Sequence, residues 1–118
     1  MSDELSLRAY LSFSKGGAEV RRSEGITVDV TGETFTHEVQ SIGTAEEDIV
    51  YCADIATPGY VLIINLDATN YVEIGITTGV YPIKLKAGEF ALYRHNSTAF
   101  KAKANTAACL VEFVMIET

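Results

Sequence analysis

The chain has 118 residues, a formal net charge of −7 and 47% hydrophobic residues. A single domain of that length buries about two-thirds of its unfolded surface and stands without staples, and the apolar content argues against global disorder. The acidic balance disfavours phosphate-binding partners, so no nucleic-acid role is expected. All of the excess lies in residues 1–59, with eleven acids against four bases, while residues 60–118 hold five of each.

The acidic start Met1-Ser2-Asp3-Glu4 predicts no secretory signal. Leu5 to Ser14 reads as a strand, Gly16-Gly17 as a tight turn and Ala18 to Arg22 as a partner strand. Residues 1–15 are the candidate for an N-terminal arm exchanged between subunits. Ile26 to Val30 and Thr34 to Gln40 are short β-branched runs either side of Gly32. Ser41 to Asp48 is polar and acidic, which predicts a loop or one short helical turn, and Ile49 to Ala53 reads as another strand before the turn Thr57-Pro58-Gly59.

The second half is more regular, and its hydrophobic period is two. Val72, Ile74 and Ile76 alternate with Tyr71, Glu73 and Gly75. Ile83 and Leu85 alternate with Lys84 and Lys86; Phe100, Ala102 and Ala104 alternate with Lys101 and Lys103. Each pattern is that of a strand with one face in a core and one in water. Strands recur every eight to twelve residues, as in a sandwich or barrel. The chain is therefore read as all-β, a single antiparallel β-sandwich domain over 1–118, jelly-roll-like. The segment Asp67-Ala68-Thr69-Asn70 predicts a hairpin turn between the strands ending at Leu66 and starting at Tyr71. Asn65, Asp67 and Asn70 are its fold-keeping residues.

Tyr60 to Leu66 and Cys109 to Glu117 are apolar on both faces. A strand covered on both sides lies in the middle of a sheet with something stacked on each side, and one of those covers can be another subunit.

Chemistry-bearing residues are sparse. His37 and His95 each stand without a second ligand at metal spacing, so no metal is expected. Glu46, Glu47, Asp48 and Asp54 lack the alternation and the Gly of a calcium loop. No nucleophile signature occurs, and Cys52 and Cys109 read as buried free thiols. The expectation is a non-enzyme without cofactor. Its longest apolar run, Tyr60–Ile64, is far too short to span a bilayer, so no membrane role is expected. Lys84, Lys86, Lys101 and Lys103 form a candidate interface facing an acidic neighbour, or an outward charge that discourages edge-to-edge aggregation.

Four segments resemble a family of small structural proteins of tailed bacteriophages: Thr57-Pro58-Gly59-Tyr60, Asn65 to Glu73, Lys84 to Leu92 and Lys103 to Ala107. Together they cover about half of the chain. The resemblance implies a virion component made in the host cytoplasm, of head-decoration type or, alternatively, a neck or tail adaptor. It also implies partners of its own kind (a homo-oligomer, trimer included) and virion proteins such as the major capsid protein or the connector. A rival from another class is a carbohydrate-binding module using Tyr51, Tyr60, Tyr71, Tyr81 and Tyr93 as an aromatic platform.

Overall fold

In the computed structural model, residues Glu4–Thr118 are described, and every regular element among them is a strand. Two units separate by their internal contacts, Met1–Thr31 and Gly32–Thr118. The sandwich is the second.

The first unit is a ribbon of two antiparallel strands, β1 (Leu5–Lys15) and β2 (Ala18–Val28), in register from Leu5 opposite Val28 to Lys15 opposite Ala18. Gly16 and Gly17 close it with φ of 60° and 88°. Two successive positive φ values define the type I′ turn, whose twist matches that of the strands it joins, and glycine reaches them without a Cβ clash. Ala18–Arg22 and the run beginning at Ile26 are one strand, because Gly25 keeps its place opposite Arg8 and does not interrupt the ladder. The arm expected over residues 1–15 is thus one half of a ribbon reaching Val28. Its residues 1–3 lie outside the described residues.

The second unit holds β3 (Phe35–Ile42), β4 (Glu47–Asp48), β5 (Pro58–Asn65), β6 (Val72–Gly75), β7 (Ile83–Leu85), β8 (Phe90–Arg94), β9 (Lys101–Ala104) and β10 (Cys109–Glu117). The pairings nest: β3 with β10, β4 with β9, β5 with β8 and β6 with β7. Successive pairs alternate between two antiparallel sheets, ordered β3-β10-β5-β8 and β4-β9-β6-β7. This wrapping of nested pairs over two sheets is the jelly roll.

Alternation explains the core. Val61 and Ile63 of β5, and Cys109, Val111, Phe113 and Met115 of β10, point inward and are inaccessible to solvent. They meet Val72, Ile74, Leu85, Phe100, Ala102 and Ala104 of the facing sheet. The alanines of β9 and the large side chains of β10 belong to this one core, small and large residues sharing the space between the layers.

Three expectations are corrected. The segment Asp67–Asn70 is not a hairpin turn: β5 and β6 belong to different sheets, so it is a corner that carries the chain across the end of the sandwich. Ile49–Ala53 is no strand. Its Val50 and Cys52 amides donate to the side chains of Gln40 (2.9 Å) and Thr36 (2.7 Å) instead of to a neighbouring backbone. Within the loop expected at Ser41–Asp48, Glu47–Asp48 forms the short edge strand β4, paired with β9, and no helical turn.

Tyr93 points inward from β8, and burial pushes its phenol up to about 12. A tyrosine that ionises near 10 unfolded and near 12 folded supports the fold fully below pH 10. That support is lost as pH climbs through 12. Ultraviolet titration is expected to show one phenol ionising last, near 12, after Tyr81, whose hydrogen bond to Glu46 also raises it, and Tyr93→Phe to remove that last step. A late step surviving in Tyr93→Phe would place it elsewhere.

Candidate functional site

The two sheets turn very different outer faces to their surroundings. On β4-β9-β6-β7 the outward positions are charged and alternate in sign. Glu73 lies between Lys103 and Lys84 in register, and Lys101 Nζ stands 3.0 Å from Asp48 Oδ1. Lys84 Nζ lies 4.1 Å above the Tyr71 ring and Lys103 Nζ 6.0 Å from the Tyr81 centroid. Three of the four lysines singled out in the sequence therefore share one face. They are interleaved with acids there, so the face is no basic stripe but one that water solvates well. Lys86 sits in the turn after β7, where its amide donates to Glu89 Oε1 at 2.7 Å.

The outer face of β3-β10-β5-β8 is built the other way. Register places its outward side chains in rows across the four strands. One row is Phe35, Ile116, Tyr60 and Arg94; the next is His37, Val114, Leu62 and Leu92; the third is Val39, Glu112, Ile64 and Phe90. Leu110 and Ser41 begin a fourth. The central side chains are half-buried, and the rim is open: Phe35 is 63% exposed, Val39 54%, Phe90 66% and Leu110 52%. At about 4.8 Å between strands and 6.8 Å between rows, the face presents roughly 400 Å² in flat projection. A face of that size equals the largest apolar patches that monomers expose, which are often contact sites, and it is the candidate here.

The few polar groups on this face are already engaged. His37 Nε2 lies 2.7 Å from Glu112 Oε2, across β3 and β10, and the Arg94 guanidinium lies 4.4 Å over the Tyr60 ring. Each pairing reduces the desolvation a covering partner has to meet. The sequence shows the apolar side of β10 with Glu112 interrupting it. It gives no sign that His37, 75 residues away, supplies the partner.

The remaining candidates are held in fold-keeping roles. His95 is buried, with Nε2 2.7 Å from Ala99 O and its ring 4.6 Å from that of Phe100. Glu46 accepts from Tyr81 Oη and the Gly79 amide, which hold its carboxyl below the usual range. Glu47 accepts from the Gly43 amide and Gln40 Nε2. Among the described residues no group of acids, histidines and cysteines could hold a metal ion. Cys52 and Cys109 are free, and burial pushes the Cys109 thiol up, away from the reactive thiolate. A shallow groove of about 750 Å³ runs beside β3, lined by Phe35 to Gln40 and Val50 to Cys52. The amide bonds of Val50 and Cys52 to β3 side chains close its floor and shield that sheet edge.

The tyrosines form no common platform. Tyr60 belongs to the apolar face, Tyr71 and Tyr81 lie with the lysines of the other sheet, and Tyr93 points inward. Tyr51 donates from Oη to Thr98 O.

At the corner, Asn65 is fully buried. Its Nδ2 donates to Asn70 O and Leu85 O, both at 3.0 Å, and its Oδ1 accepts from the Asp67 amide at 2.9 Å. Asp67 Oδ2 in turn accepts from the amides of Thr69 (3.0 Å) and Asn70 (2.6 Å), which hold its carboxyl below the usual range. Compared with models of protein families, with curated proteins and with solved structures, the chain matches none.

Proposed function

We propose that this chain is a non-enzymatic virion structural protein of a tailed bacteriophage, of the decoration type, which self-associates and docks on the particle. The observation that carries the reading is the apolar outer face of β3-β10-β5-β8, set against the charged outer face of the opposite sheet. A sandwich with one wet face and one apolar face is suited to lie against other protein. At about 25 cal/mol per Å², a seam repeated over a shell adds appreciable stability. Jelly rolls serve capsid proteins, lectins and cupin enzymes alike, so the fold alone does not decide among them. The resemblance over residues 57–107 favours the first. In this reading the lysine face turns to water.

Light scattering across a concentration series is expected to give a multiple of the chain mass. Antibody labelling of particles of the encoding phage is expected to decorate the head. Label confined to the neck or tail would replace decoration by the adaptor role. A monomer at every concentration, with unlabelled particles, would overturn the proposal.

A further inference from the structure

The ribbon β1–β2 carries a second uncovered apolar face. Along β1, Leu5, Leu7, Ala9, Leu11 and Phe13 alternate with Ser6, Arg8, Tyr10, Ser12 and Ser14. Register aligns Val20 with Phe13 and Ile26 with Leu7 on the same side. That side is apolar from end to end except for Lys15 and one charged pair in the middle, Arg22 and Glu24, whose side chains meet at 2.7 Å. Leu11 is 58% exposed, Phe13 49%, Val20 53% and Ile26 47%. A two-stranded ribbon by itself is marginal in water, and this one has no third strand in its unit.

We infer that the apolar face of the ribbon packs against the same face of the ribbon of a second copy, about a two-fold axis at its midpoint, with Arg22 of each copy opposite Glu24 of the other. The midpoint is Tyr10 opposite Ser23, five residues from either end of both strands. A two-fold axis there, lying between the faces and across the strands, sets Phe13 opposite Leu7 of the second copy and Val20 opposite Ile26. It also sets Arg22 opposite Glu24 and Glu24 opposite Arg22. The face is therefore self-complementary in bulk and charge between Leu7 and Phe13, while at each end Lys15 meets Leu5 of the second copy and carries its ammonium out past the rim. A heterologous partner would instead have to supply its own acid and base at those two places.

Each face is about 37 Å long and 10 Å wide, so two of them bury roughly 700 Å² in flat projection. A specific interface that stands alone needs about 1,200 Å². Ribbon pairing therefore adds to the contact through the sheet face, and the inference rests on the self-association proposed above.

Co-expression of the Arg22→Glu chain with the Glu24→Arg chain, followed by native mass spectrometry, tests it. In the middle of the ribbon face the first chain presents two carboxylates and the second two cations. Each repels its own kind and attracts the other across the axis. Hetero-pairs are expected to make up nearly all of the pairs in place of the statistical half, a ratio of hetero- to homo-pairs about tenfold or more above chance. The double variant Arg22→Glu/Glu24→Arg, alone, is expected to assemble as the unaltered chain does. Statistical mixing of the two chains, with assembly intact, would overturn the ribbon contact and leave self-association standing. An unaltered chain that stays monomeric would overturn both.

Discussion

Replacing Leu62 with lysine is expected to leave the sandwich folded and to raise the dissociation constant of the assembly by about a thousandfold or more. Leu62 shares with Val114 the middle of the row His37, Val114, Leu62, Leu92, so these two side chains lie furthest from the rims of the apolar face. In the separate subunit a lysine lays its stem across Val114 and Leu92 and carries its ammonium out to water, a change of about 1 kcal/mol or less. Under a partner the same ammonium has no carboxylate within its row. The nearest acid, Glu112, already holds His37 at 2.7 Å. A buried, unpaired charge costs several kcal/mol, and a symmetric contact carries it twice.

Sedimentation velocity separates the outcomes cleanly. Leu62→Lys should run as a monomer at concentrations where the unaltered chain is assembled, with an unchanged far-ultraviolet spectrum. The charge reversal Lys84→Glu/Lys101→Glu serves as the contrast. Those lysines lie on the solvated sheet beside Glu73 and Asp48, so reversing them should leave the mass of the assembly unchanged. If the reversal dissolves the assembly and Leu62→Lys does not, the contact runs through the lysine face.

Much of the sandwich was legible because burial in a two-layer fold writes itself as period two. Phe100, Ala102 and Ala104 are buried with Lys101 and Lys103 between them less so, and β10 runs from Cys109 to Glu117 as its apolar alternation indicates. The apolar outer face was half legible: β5 and β10 are apolar on both sides in the sequence. The rows that join them to Phe35, Val39, Leu92 and Phe90 depend on sheet order, which no local pattern encodes. The corner was misread for the same reason. Asn and Asp bond to nearby backbone in any tight loop, so their chemistry is identical whether the flanking strands pair or part into different sheets. Ile49–Ala53 has strand-like composition, yet its amides are taken up by Gln40 and Thr36 before a ladder can form. The strand expected at Ala18–Arg22 and the run beginning at Ile26 are joined through Gly25, because the ladder on both sides holds it.

The corner itself supports the largest stability prediction. Asn65→Leu keeps the branched shape of the side chain with slightly more bulk and removes all three of its hydrogen bonds, to Leu85 O, Asn70 O and the Asp67 amide. Each buried group left unpaired costs about 1–3 kcal/mol, and the three together are expected to take about 3–5 kcal/mol from the fold. For a domain of this size that lowers Tm by about 15–25 °C, a large part of its whole margin. Asn65→Asp separates the hydrogen-bond account from mere packing. Its carboxylate would keep the acceptor for the Asp67 amide but face two carbonyl oxygens, so the folded state raises its pKa. A raised pKa means that the stability relative to the unaltered chain is present in acid and lost as pH rises through the folded value. Thermal melts of Asn65→Asp should therefore fall further behind the unaltered chain at pH 7 than at pH 4. A penalty independent of pH, together with a drop below about 5 °C for Asn65→Leu, would show that the corner is held by the Asp67 turn alone, and that the tie from β5 to the facing sheet through Leu85 contributes little.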